Sequence, residues 1–210
     1  MTQTTVSGDI LDMSRRSRYE VTRADILPMA EYGQRRIEFR NRVLALKRNR
    51  RVAVGPVATF HFECYETMWQ QIHEMLWIEK GGESQIEDEL RAYNPLIPKG
   101  RELVATVMFE IDDPVRRKAF LSQLGGVEKT AFLRFNGETI TGVPEADLDR
   151  TSADGKASSV QFIHFPFADA QVSSFRSPGT EVVLGFTHPN YGHMAVLPEI
   201  VRQTLARDFD

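Results

Sequence analysis

Two hydrophobic periods alternate along this chain, one near 3.6 residues and one of two, and the places where they change mark its elements. From Thr22, the stretch TRADILPMAEYGQRRIEFRNRVLALKRNRR offers caps at Thr22 or Asp25 and then spaces Ile37, Val43, Leu44 and Leu46 as a helix would, with Gly33 a candidate break between two helices. RVAVG and VATFHFE follow with period two and predict a hairpin turned at Gly55 and Pro56. Phe60 and Phe62 fall on its core face, and Thr59, His61 and Glu63 on the other. A helix over Tyr65–Lys80 is stopped by Gly81 and Gly82, and ESQIEDELRAY predicts a second helix, broken by the prolines of NPLIPKG.

The second half reads mainly as strands: ELVATVMFEI, AFLRF joined to ETITGV through Asn136 and Gly137, SVQFIHFPF, TEVVLGFTH and HMAVL. Short helices are expected over Asp113–Leu124, Ala168–Phe175 and Pro198–Arg207. Together these predict a single α+β domain over residues 21–210, with a mostly antiparallel sheet built from hairpins and packed by several helices. Residues 1–20 are polar and offer little to bury, which predicts a mobile tail. The loop-like composition of Arg150–Ser159 makes it a candidate lid or partner contact.

One position conflicts with this pattern. At about 100° per residue, Met68, Ile72 and Met75 form one stripe of the Tyr65–Lys80 helix, and Glu79 falls in its middle. A carboxylate there must reach water past the helix end, find a hydrogen-bonding partner or bind a cation, because an unpaired buried charge is too costly. Gln71 and Glu74 flank the same stripe, so Gln71, Glu74 and Glu79 would form a compact site.

Composition narrows the classes. With 41% hydrophobic and 26% charged residues the chain is ordinary for a globular protein, and its net charge of -3 argues against a dedicated nucleic-acid binder. Cys64 is the only cysteine, which excludes an intramolecular disulfide and a cysteine-built zinc or iron–sulfur centre and suits a reducing cytoplasm. No signal-peptide core and no apolar run of about 20 residues is present, so neither export nor a membrane span is expected.

The residue types that could carry chemistry are carboxylates and histidines. Glu63, Glu66, His73, Glu74 and Glu79, with Glu83, Glu87 and Glu89 beyond them, suit iron, manganese or zinc, although no Glu-x-x-His or His-Glu-x-x-His spacing occurs. His164 shares a strand face with Val160 and Phe162, and His188 and His193 lie in the turn THPNYGH. Cys64 continues the apolar face of Phe60 and Phe62 next to the Glu63 carboxylate, which predicts a core thiol and not a nucleophile. No glycine-framed serine is found, and LGGVEKT lacks the phosphate-loop spacing. The strongest charge asymmetry is Arg35–Arg51, where Arg35, Arg36, Arg40, Arg42, Lys47, Arg48, Arg50 and Arg51 face one acid, Glu38. That stretch could meet an acidic protein face, a phosphorylated ligand or nucleic acid.

Several segments taken together, DILPMAEY, RVLALKRNRRVAVGP, FHFE with QIHEM, YNPLIPKGRELVATVMFE, SSVQFIHF and LGFTHPNY, resemble the bacterial domain-of-unknown-function family 3501 from about Val21 onward. The matching positions include Glu63, Gln71, Glu74, Met75, Glu79, Tyr93, Asn94, Glu102, His164 and His188. The resemblance implies association with a rubrerythrin-like di-iron protein and an iron–sulfur oxidoreductase. The resulting expectation is a soluble cytoplasmic accessory protein of an iron-dependent or peroxide-stress redox system. It would hold a metal through Glu79, Glu74, Glu63, His164 and His188, or dock on a metalloprotein. The alternatives are a metal-free interaction module, with the Arg35–Arg51 face and the NPLIP loop as its contacts, and a nucleic-acid or phosphate-ligand binder using the same basic face.

Overall fold

A computed structural model describes residues 19–145 and 156–210. The expected tail up to residue 18 and most of the Arg150–Ser159 loop lie outside the described residues. Within them the helices are α1 (Met29–Lys47), α2 (Tyr65–Glu79), α3 (Glu83–Tyr93), α4 (Pro114–Leu121), α5 (Asp169–Arg176) and α6 (Glu199–Leu205). The strands are β1 (Arg51–Val54), β2 (Ala58–Phe62), β3 (Glu102–Phe109), β4 (Ala131–Phe135), β5 (Glu138–Thr141), β6 (Val143–Pro144), β7 (Val160–Pro166), β8 (Val183–Phe186) and β9 (Met194–Val196).

The strands form two antiparallel sheets, β1-β2-β3-β7-β6 and β5-β4-β8-β9, instead of one. The division falls inside ETITGV, which the alternation reads as a single strand. Thr141 still pairs with Phe132 in the second sheet, whereas Val143 pairs with His164 in the first. Gly142 sits at the crossing. A Cβ there would lie 2.5 Å from Ile163 Cγ2, so the chain can change sheets at this point only without a side chain. Across the space between the sheets, Phe60, Phe62, Leu103, Ala105, Val107, Ile163 and Phe165 meet Leu133, Phe135, Leu184 and Phe186. Leu121 of α4, Val172 and Phe175 of α5, and Val201 and Leu205 of α6 join the same core.

Helices α1, α2 and α3 cover the other face of the five-stranded sheet, where Val104 joins a second core of Tyr32, Phe39, Met68, Trp69, Ile72 and Leu76. Helix α1 runs unbroken through Gly33 and does not divide there. Gly33 is needed for packing: a Cβ would stand 2.4 Å from the Trp77 ring of α2. Thr22 does cap a turn, but a short 3-10 one over Arg23–Asp25, and α1 starts after Pro28. The tight turn at Asn136 and Gly137, both at positive φ, forms the β4–β5 hairpin as its residue types require.

Candidate functional site

The five proposed metal ligands are spread over the molecule and do not converge. Glu79 lies at the C-terminal end of α2 and is exposed, and it accepts a hydrogen bond from Gln85 Nε2 at 2.8 Å. The buried arc of α2 is Tyr65, Met68, Trp69, Ile72, His73 and Leu76, so Trp69 and His73 turn it away from Met75. By angle Glu79 still falls between Met68 and Ile72, but it stands one turn beyond Leu76, at the very end of the helix. Lys80 then enters the left-handed conformation and ends the helix, which leaves the carboxylate free to reach water. Glu63, just past β2, is buried, and its Oε2 accepts from Thr67 Oγ1 at 2.6 Å at the start of α2. His188, in the loop after β8, is buried with both ring nitrogens engaged: Nδ1 accepts from Asn190 N at 3.2 Å, and Nε2 faces Gly125 O at 3.3 Å.

His164 sits between two carboxylates, Glu102 Oε2 at 2.9 Å from Nδ1 and Glu145 Oε2 at 2.8 Å from Nε2. Burial pulls its pKa down, but the hydrogen bonds and charges of the two carboxylates outweigh it and raise the value above the ordinary histidine range. The arrangement clamps a proton. With each nitrogen committed to a different carboxylate, no lone pair is left for a metal. The register explains the clamp: His164 pairs with Val104 on β3 and with Val143 on β6, and Glu102 and Glu145 stand two residues from those partners. Among the described residues, no group of three or more His, Cys, Asp or Glu side chains is arranged to hold a metal ion.

Glu74 belongs to a different constellation, between α1 and α2. Arg36 of α1 grips it with both arms, Nε to Oε1 at 2.9 Å and Nη2 to Oε2 at 2.7 Å, and the Tyr32 hydroxyl donates to Oε1 at 2.7 Å. The Arg36 hydrogen bonds hold the Glu74 pKa below the usual carboxylate range despite partial burial. Below this pair His73 is fully buried between the rings of Trp69 and Tyr32, with centroids 4.0 and 4.9 Å away. Its Nε2 accepts from Leu27 N at 3.0 Å, so Nδ1 carries the proton and donates to Trp69 O at 2.7 Å. Burial lowers its pKa to about 4, so this histidine is a neutral structural bridge.

Above the Arg36–Glu74 pair, α1 and α2 form an open groove of about 330 Å³ lined by Arg40, Leu44, Lys47, Arg51, Met75 and Ile78, among others. Ile37 and Leu44, which the helical spacing assigns to the core, point outward instead. The inward stripe of α1 is Tyr32, Phe39 and Val43, and Ile37 and Leu44 lie roughly 120–140° around the helix from it. Ile37 is 75%, Leu44 54% and Ile78 61% exposed. Among the described residues Arg40, Lys47 and Arg51 carry no salt bridge, whereas Arg35 pairs with Glu38 and Arg36 with Glu74. The basic stretch is therefore not one surface. Arg50 turns inward and meets Asp208 through both arms, at 2.8 and 2.6 Å, with both side chains nearly buried.

A second cleft, about 310 Å³, opens over that pair between Glu66 and Arg207. Its two arginines and two acids cancel, and Arg50 is already occupied by Asp208. Cys64 borders the cleft, but burial raises its thiol to about 12, which keeps it protonated and unreactive. Among the described residues no helix is long and apolar enough to cross a membrane.

Residues 20–209, nearly the whole length, match the family model described as "Protein of unknown function (DUF3501)". The chain belongs to the DUF3501 family. A chain from Burkholderia pseudomallei whose crystal structure is described as that of a novel protein of unknown function is 35% identical. It superposes with a TM-score of 0.84, covering 90% of this chain and 99% of its own. This DUF3501 protein therefore shares the α+β architecture of that structure, over almost all of both chains. The comparison with curated proteins finds no match.

Proposed function

We propose that this DUF3501 protein is a protein-interaction module whose contact face is the α1–α2 groove. The observation that carries the reading is a groove that joins two outward apolar side chains, Leu44 and Ile78, with Ile37 on the same side of α1, to three cations that have no ion-pair partner among the described residues, Arg40, Lys47 and Arg51. Scattered exposed apolar residues are ordinary, but a grouping rimmed by charge is the usual anatomy of a contact site. The remaining titratable groups of this region are already committed: Glu74 to Arg36 and Tyr32, and His73 to Leu27 and Trp69. A phosphate-tracking surface fits less well, because apolar side chains and the Glu38 and Glu74 carboxylates interrupt the positive charge.

Docking on a metalloprotein is the form of the redox expectation that this face supports. The first partners to test are the rubrerythrin-like protein and the iron–sulfur oxidoreductase that the family resemblance implies. A photo-crosslinking amino acid placed at Leu44 or Ile78 should give a discrete heteromeric product in cells, while the same group at Val143, 51% exposed on β6, should not. A groove position that crosslinks no better than Val143 refutes the assignment.

A further inference from the structure

We infer that the occupant of the α1–α2 groove is an acidic amphipathic helix of a partner protein, lying along α1 with its acids gathered toward Lys47 and Arg51. This rests on the reading of the groove as a contact face and adds the chemistry and direction of what it receives.

The direction follows from how the two helices pair. Gly33 of α1 approaches Trp77 of α2, and Arg36 grips Glu74, so α1 and α2 run antiparallel. One end of the groove is formed by Ile78, the middle by Arg40, Leu44 and Met75, and the far end by Lys47, Arg51 and Gln70, while exposed Ile37 lies on the Leu44 side of α1 two turns before it. Apolar contact is offered at the first end and positive charge at the last. Beyond the apolar end lies Glu79, joined through Gln85 to Glu89, and these carboxylates repel acids placed there.

The spacing suits a helix. Ile37 and Leu44 are seven residues apart on one side of α1, about 10.5 Å along its axis. Apolar residues at i and i+7 of an incoming helix repeat at that distance, and an apolar stripe laid in a groove is an established recognition mode. Apart from Arg51, the first residue of the edge strand β1, the lining residues belong to α1 and α2, so an added strand could pair only at the far end of the groove.

The test uses a labelled 16-residue helical peptide with leucines at i, i+3 or i+4, and i+7, and with glutamates clustered at one end. Fluorescence anisotropy should show saturable binding to the full chain that weakens when salt rises from 50 to 300 mM, as screening requires. Leu44→Asp with Ile78→Asp, and separately Arg40→Glu with Lys47→Glu, should each reduce affinity at least tenfold while circular dichroism is unchanged, since all four side chains are surface groups. Moving the glutamates to the opposite end should weaken binding severalfold.

Absence of binding, equal binding of a scrambled peptide, tighter binding of an RNA oligonucleotide, or self-association abolished by the same substitutions would overturn the proposal. Crosslinking at Leu44 separates the two levels. A discrete partner without an acidic helix removes this occupant and leaves the contact face standing, whereas no crosslink and no peptide binding removes both.

Discussion

Lowering the pH from 7.5 to 4.5 should destabilise the fold through His73, by an amount that can be worked from its surroundings. Folding holds this imidazole neutral, because burial takes its pKa from 6.5 to about 4, while in the unfolded chain it regains the ordinary value. Between those pH values the unfolded chain binds more protons, so the neutral bridge contributes its full stability above pH 6.5 and loses it as pH falls toward 4. Linkage over the stated interval gives a loss of about 2.5 kcal/mol from this one residue. Urea denaturation at pH 7.5, 6.0 and 4.5 reads it directly, compared with His73→Gln, whose amide oxygen can still accept from Leu27 N. The variant starts less stable, since it gives up the ring contacts with Trp69 and Tyr32, but its stability should fall by about 2.5 kcal/mol less over the same range. Carboxylates titrate alike in both proteins and cancel in the difference. Parallel pH profiles for wild type and variant would refute the argument, and with it the assignment of His73 as a buried neutral bridge.

Further outcomes follow from other sites. His164 has the opposite sign: its raised pKa means that its contribution is present below pH 6.5 and is lost as pH rises through the folded value, and Glu102→Gln with Glu145→Gln should lower the histidine pKa followed by NMR. Asp208→Ala leaves Arg50 buried without its partner and should cost about 3–5 kcal/mol in chemical denaturation. Gly33→Ala, which in an open helix would stabilise by up to about 1 kcal/mol, should instead lower the melting temperature, because the added Cβ meets the Trp77 ring. Cys64 should not react with a thiol reagent at pH 8 in the folded protein and should react once denatured.

What could be read along the chain was what short range determines. The β4–β5 hairpin follows from Asn-Gly chemistry, and α2 and α3 follow from periodicity and from the glycines between them. Positions whose meaning lies in a distant neighbour could not be read that way. Gly33 resembles a helix break until Trp77 is brought against it, and Gly142 resembles a strand residue until Ile163 closes over it. Glu79 falls on the apolar stripe by its angle, and of the outcomes open to a carboxylate there, the helix end decides: Lys80 turns left-handed directly after it and the side chain reaches water and Gln85. Ile37 and Leu44 fit helical spacing equally well on either side of α1, and only the stacking of Tyr32 on Phe39, with centroids 5.7 Å apart, settles which side is inward. The carboxylates on His164 could have been found from sequence only with the β3–β7 and β6–β7 registers in hand.

The single-residue passage at Gly142 also bears on how the molecule opens. Strand β5 ends at Thr141 and β6 begins at Val143, so a fluctuation that frees one sheet from the shared core must drag a strand of the other with it. Separate partial unfolding of the two sheets is suppressed, and slow amide protons on Leu133 and on Ala105 should exchange with one common opening free energy rather than two. Widening the passage, by inserting two or three glycines after Thr141, would cut that mechanical tie and let the four-stranded sheet exchange on its own.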